Sequence, residues 1–307
     1  MRSLLRTSNI FQVLLFGALL CLLVACSGNE PQDNNNNNNN NKKPEVQKCN
    51  GFEHLCKLRL NEIVFIKTHN SHAAKELGYH FLSSNHEHAV PKQLEAGVRS
   101  FNYDVYLEKG KMVLCHGYCN LGQQEFSAGL KYFVDFLKKN PNDVLLLDFQ
   151  DVAPVDKIVE SIKTSGLDQF AHSQKPSEAW PVLNDMIKAN KRIVFFSRKT
   201  TSSTPSWYHK KSDFIFSTDW KAKEETELSC KTGKKIKNGL FELNHFLTNP
   251  IASPGSAKKV NIDPFLTDRI NKCTKEVGQM PNIVAIDYYT TGDAINIINK
   301  FNAAKKK

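Results

Sequence analysis

From Ile63 onward, short apolar runs alternate along the chain with longer stretches of helical periodicity. The apolar runs are Ile63–Thr68, Val98–Tyr106, Met112–Cys115, Val144–Gln150, Ile193–Ser197, Phe214–Ser217, Leu240–Leu247 and Ile283–Tyr288. Each is short and bounded by polar segments, which is how strands read. Apolar residues recurring every three or four positions predict amphipathic helices at Phe126–Lys139, Val155–Ser165, Ala179–Asn190, Pro264–Val277 and Asp293–Phe301. These fall between several of the strands, as βα units require, and the pattern predicts an α/β fold in one domain: an irregular (β/α)8 TIM-type barrel. The irregularity is expected between Tyr106 and Met112, where there is no room for a crossover helix of a dozen or more residues.

The pattern breaks down before residue 49. Residues 1–25 carry Arg2 and Arg6 and then the apolar run Phe11–Ala25, which reads as a secretory signal peptide. The run is too short for a membrane-spanning helix. Leu23-Val24-Ala25-Cys26 resembles a lipobox, in which cleavage leaves a lipid-modified cysteine as the new N-terminus. An ordinary signal peptide with an incidental cysteine is the alternative. Residues 26–48 have no apolar periodicity and include eight consecutive asparagines, Asn34–Asn41, so they are expected to be a disordered tether. The barrel is expected over residues 49–307.

Composition adds two facts. Of the eight cysteines, Cys21 goes with the signal and Cys26 with the lipid, leaving Cys49, Cys56, Cys115, Cys119, Cys230 and Cys273. An even set fits disulfides in an oxidising compartment. The pairs Cys49–Cys56, Cys115–Cys119 and Cys230–Cys273 are the simplest of fifteen connectivities. The segment CHGYC does not fit c-type haem attachment, because its histidine lies inside the cysteine pair. The formal charge of +10 falls to about +8 once Arg2 and Arg6 are removed, which favours an anionic phospholipid surface. Nucleic acid is not an expected partner, and a monomer is expected.

Polar residues cluster at the ends of the predicted strands, where barrel enzymes place their chemistry. They are His69 and Asn70 on the first strand, Asn102 and Asp104 on the second and His116 on the third. Asp148 and Gln150 end the fourth, Arg198 the fifth, Asp219 the sixth, Asn244 and His245 the seventh, and Asp287 the eighth. Any one of them is as readily a solvent-facing loop group, but their shared placement points to a site.

Five segments carry a family resemblance: THNSH at Thr68–His72, GVRSFNYDVY at Gly97–Tyr106, LCHG at Leu114–Gly117, NDVLLLDFQ at Asn142–Gln150 and PNIVAIDYYTTGD at Pro281–Asp293. Together and in this order they resemble the X region of phosphatidylinositol-specific phospholipase C and related phosphodiesterases, in a compact lipoprotein form. The resemblance implies cleavage of phosphatidylinositol-type lipids by intramolecular attack through a cyclic inositol phosphate. His69 would be the general base, His116 the general acid and Asp287 the carboxylate that orients the base. Arg198 and Asp148 would bind substrate. Family members neutralise the phosphoryl oxygens with either an arginine or a calcium ion. Asp104 stands where the arginine would be and Asn70 directly follows the base, which leans toward Ca2+ held by Asn70, Asn102 and Asp104. Asn102 replaces an expected carboxylate, and the fourth-strand position is most nearly Gln150, so a weak site or one completed by substrate phosphate is expected. Arg99 points away from Asn102 and Asp104 by strand alternation.

Trp207 and Tyr208, followed by Lys210 and Lys211, read either as a loop that dips into a membrane or as a solvated basic loop with one packed tryptophan. His86 and His88 are read as surface groups. Two other functions stay open. A glycerophosphodiester phosphodiesterase shares the barrel, but its pattern opens with His-Arg-Gly and an acidic pair, which Thr68-His69-Asn70-Ser71 and Asn102 do not match. A catalytically silent surface lipoprotein that binds phospholipid head groups is the other.

Overall fold

The computed structural model describes residues 47–305, whose ten strands make one sheet. In chain order they are β1 (Phe65–Thr68), β2 (Ser100–Glu108), β3 (Lys111–Cys115), β4 (Gln123–Glu125), β5 (Leu145–Asp151), β6 (Ile193–Ser197), β7 (Tyr208–Lys210), β8 (Ile215–Ser217), β9 (Leu240–Asn244) and β10 (Ile283–Ile286). The helices are α1 (Val90–Glu95), α2 (Phe126–Lys139), α3 (Val155–Ser165), α4 (Leu183–Lys188), α5 (Pro254–Val260), α6 (Phe265–Val277) and α7 (Ala294–Ala303). The signal segment, Cys26 and the tether as far as residue 46 lie outside the described residues. Among the described residues no helix is long and apolar enough to cross a membrane.

Eight strands run parallel in the order β7–β6–β5–β2–β1–β10–β9–β8. β7 and β8 are the two edges of that order, yet only Lys211–Phe214 separates them in the chain. So short a link reaches roughly 17 Å at most. The sheet must therefore curl until its edges lie near each other, which makes the expected irregular barrel, with a seam between β7 and β8.

Strand membership differs from the sequence reading in two places. Met112–Cys115 is not a barrel stave: β3 folds back antiparallel on β2, with Val105 opposite Leu114. The turn between them places Lys109 and Gly110 at φ 49° and 79°, the left-handed pair that a tight hairpin demands. The eighth stave is β7, whose three residues lie in the stretch read as a membrane loop. Tyr208 is buried there, Trp207 packs against the core and Lys211 enters the barrel, so that stretch is not a membrane loop.

Helices α2 and α3 occupy their predicted spans and bury residues at helical spacing, Leu130, Phe133, Val134 and Leu137 in the first and Ile158, Val159 and Ile162 in the second. Predicted helix Ala179–Asn190 shortens to α4, its start delayed because Trp180, directly before Pro181, is disfavoured from the helical region. The three expected disulfides are present: Cys49–Cys56, Cys115–Cys119 and Cys230–Cys273.

Alternate residues of each stave point into the barrel, and they form three levels. The floor is apolar: Phe65, Leu146, Val194, Ile215, Leu240 and Ile283 pack with Leu55, Leu60 and Trp180. Above it lies a buried ionic level in which Lys67 Nζ donates to Asp148 Oδ2 (2.7 Å) and Glu242 Oε1 (2.5 Å). Lys211 Nζ contacts the same two carboxylates at 2.6 and 2.8 Å. Burial alone would raise the pKa of Asp148, but the charges of Lys211 and Lys67 outweigh it and hold the group well below the usual carboxylate range. The third level, at the C-terminal strand ends, carries the candidate site.

Candidate active site

β1 ends in the turn Thr68-His69-Asn70-Ser71. Ser71 exchanges two bonds with the backbone of Asn102 on β2, its N–H donating to the carbonyl and its Oγ accepting from the N–H, both at 2.9 Å. Ser71 Oγ in turn donates to Thr68 O at 2.7 Å. The turn needs a left-handed residue, and Asn70 supplies it at φ 49°, a conformation that asparagine tolerates better than most residues. His69 is thereby thrown inward. Its ring stacks on Phe246 at 4.0 Å between centroids, and its Nδ1 lies 3.1 Å from Asp287 Oδ1. A carboxylate can only accept, so Nδ1 carries the proton of the neutral ring and Nε2 its lone pair.

His116 follows β3 inside the loop that the Cys115–Cys119 disulfide closes. Its Nδ1 donates to Ser83 O at 3.0 Å, and its Nε2 accepts from Asn70 Nδ2 at 3.1 Å. Burial lowers its pKa from the usual histidine value, which favours this neutral form. His69, Asn70, His116 and Asp287 therefore meet in one hydrogen-bonded cluster.

Asn102 and Asp104 are buried two positions apart on the inward face of β2. Asn102 Oδ1 accepts from the Asn70 backbone N–H at 3.2 Å. Burial pushes the pKa of Asp104 up to about 7, against the lowering charges of His69 and Arg198, and its Oδ1 has no hydrogen-bond partner. That orphaned oxygen, on the same strand face as Asn102, suits one hard cation whose remaining ligands come from substrate or water. It is not a full cage, and among the described residues no group of three His, Cys, Asp or Glu side chains is placed to hold a metal.

Arg198 follows β6 and is exposed, its backbone N–H bonded to Asp151 Oδ1 at 3.0 Å. Asp148 lies a level lower, engaged by Lys67 and Lys211. Arg99 turns outward to Asp143 and the Phe136 ring, as alternation requires. His88 is on the surface with Glu76, but His86 is wholly buried and its Nε2 donates to His69 O at 2.7 Å. Residues invisible to sequence reasoning are Asn85, Ser83 and Phe246, which touch the cluster from loops, and Lys67, Lys211 and Glu242, which support it from below.

The fold and this cluster define an α/β-barrel protein with two histidines and a carboxylate at its mouth. The family described as PI-PLC X 1 matches residues 55–302, and the chain belongs to it. A "PI-PLC X domain-containing protein 1" of Arthroderma benhamiae is 24% identical over 83% of this chain and 89% of its own length. An "uncharacterized secreted protein" of the same fungus is 24% identical over 80% of this chain, which spans 61% of that protein. A PI-PLC X domain-containing protein of Arabidopsis thaliana is 26% identical over 71% of this chain, which spans 55% of it. Among solved structures, the F249X mutant of phosphatidylinositol-specific phospholipase C from Staphylococcus aureus superposes with a TM-score of 0.55 at 14% identity. The match covers 82% of this chain and 97% of that one and bears on the fold alone. The family match and the fold are thus those of PI-PLC X-domain proteins, and the three disulfides fit an oxidising compartment.

Proposed function

We propose that this protein cleaves phosphatidylinositol-type phospholipids in two steps at the His69–His116 cluster. His69 Nε2 takes the proton of the hydroxyl next to the phosphate, and that oxygen attacks phosphorus. The bond from phosphorus to the lipid alcohol breaks, and His116, after taking a proton from solvent on Nε2 in place of the Asn70 contact, passes that proton to the leaving oxygen. A cyclic phosphodiester forms. Water then opens it with the roles reversed, neutral His116 serving as base. Asp287 holds the His69 tautomer throughout. Asn70, Asn102 and Asp104 would hold a divalent cation, which would supply positive charge to the phosphoryl oxygens; exposed Arg198 supplies some from the rim.

The observation that carries this reading is the single cluster joining both histidines and Asp287. Intramolecular attack has high effective molarity, so the cyclic product should form faster than it is hydrolysed. Following ³¹P resonances during turnover of phosphatidylinositol should show the cyclic species first and the acyclic monophosphate later. Direct appearance of the monophosphate would mean that water is the first nucleophile. No turnover at all would favour the head-group-binding lipoprotein.

A lipid enzyme must also meet its bilayer, and the mouth is suited to that. Phe81, Leu82, Tyr118, Val152 and Trp220 are exposed large hydrophobics, and all lie in segments that follow strands at the site end of the barrel. Exposed Lys199, Lys221 and Lys223 lie in the same set of connections. Burying one such aromatic contributes about 1.5–3 kcal/mol. Phe81→Ala combined with Trp220→Ala should therefore weaken sedimentation with anionic vesicles by at least about tenfold. Equal binding by the double variant would move the docking surface elsewhere.

A further inference from the structure

We propose that Asn85 is a positioning residue for the reaction read above: its side-chain amide, wedged between Asp287 and Asn70, sets which ring nitrogen each histidine offers to substrate. Asn85 is almost completely buried in the connection between β1 and α1. Its Nδ2 donates to Asp287 Oδ1 at 2.8 Å, the same oxygen that faces His69 Nδ1. Its Oδ1 accepts from Asn70 Nδ2 at 3.3 Å, and Asn70 Nδ2 also reaches His116 Nε2 at 3.1 Å. The chain His69–Asp287–Asn85–Asn70–His116 is thus continuous.

The direction of every bond in that chain follows from one end. Asp287 as a carboxylate can only accept, so Asn85 must turn its NH2 toward it. The carbonyl end of Asn85 is then left for Asn70, which must answer with its own NH2. That NH2 is also what His116 meets, so Nε2 faces Asn70 as an acceptor while the Nδ1 proton goes to Ser83 O. Flipping either amide would set oxygen against oxygen. The other carboxylate oxygen, Asp287 Oδ2, is buried without a partner, so Asn85 and His69 alone fix the rotation of that group by hydrogen bonding.

Backbone geometry adds an independent reason. The residues directly after His69 and Asp287 are both left-handed, Asn70 at φ 49° and Tyr288 at φ 43°. Such conformations are costly, for Tyr288 especially, and persist only where neighbours enforce them. Asn85 touches both. Its side chain holds Asn70, and its carbonyl accepts from the Tyr288 N–H at 2.8 Å, while its own N–H is anchored on Ala73 O at 2.8 Å.

The test compares Asn85→Ala with Asn85→Leu, which fills the same space without polar ends. If Asn85 positions the site, both variants should lose about 10²-fold in kcat on phosphatidylinositol with KM within about threefold of wild type, the scale expected for small misplacements. The ring ¹⁵N shifts of His116 at fixed pH should also change from a single Nδ1–H tautomer to a tautomer mixture. A folded Asn85→Leu protein with kcat within about threefold of wild type, or with unchanged ¹⁵N shifts, would overturn the proposal. The ¹⁵N arm needs no turnover, so it tests Asn85 even if the phospholipase reading itself fails.

Discussion

His69→Ala and His116→Ala should each reduce cleavage of phosphatidylinositol by about 10²–10⁴-fold, the range over which a positioned proton-transfer group contributes. The two losses should not multiply, because the groups act in one proton relay; once either is gone, the other has little left to do. Stability should change little. His69 is a quarter exposed, and the Cys115–Cys119 disulfide shapes the His116 loop independently of the ring. Circular dichroism and thermal melting alongside the assay check this. A folded variant of either histidine with near-native activity would remove that residue from the mechanism.

The second large effect lies below the site. Lys67→Met should destabilise the protein by about 3–5 kcal/mol, because removing one partner of a buried ion pair strands the other. Two cations and two carboxylates are balanced at this level; without Lys67, Lys211 alone would face Asp148 and Glu242. Adding Glu242→Gln to Lys67→Met restores neutrality and should recover part of the loss. Urea denaturation of the two single variants and the double variant measures that coupling directly. Strict additivity would show that the four charges do not act as a unit. Because Asp148 belongs to this level, its part at the site is first to hold the barrel's charge in place. Substrate would reach it only from above, where the Lys211 side chain is a quarter exposed.

Much of the candidate site was legible because short motifs encode local backbone. Thr68-His69-Asn70-Ser71 specifies a turn that throws His69 inward, and alternation along β2 separates inward Asn102 and Asp104 from outward Arg99. Helices α2 and α3 were legible to the residue, since each buries one face whose 3.6-residue period is visible in the chain. β7 was not. Three residues rich in polar atoms carry no periodicity, and Tyr208-His209-Lys210 becomes a strand only because β6 offers a parallel edge. The same stretch misled the membrane reading, since an aromatic pair beside lysines has one composition whether it faces lipid or core. His86 was misplaced for a related reason: a histidine in a polar loop is buried only when the loop folds over the barrel mouth, here onto His69 O.

The chain by itself therefore determined the alternation of strands and helices and the barrel they close, both of which rest on short-range periodicity. The cysteine pairs were the simplest of several connectivities, and the two histidines with Asp287 were picked out by the family resemblance of their motifs. Only the tertiary structure decided which apolar run is a stave and which a hairpin. It also decided that Lys67 and Lys211 share two carboxylates, and that Asn85 joins the bases of two distant loops. Those facts depend on contacts between residues up to about two hundred positions apart, such as Asn85 and Asp287 at a separation of 202. Hydrogen bonds and ion pairs of that kind have no period. They are selected when the sheet curls and every buried polar group must find a partner, a condition that the order of residues along the chain does not display.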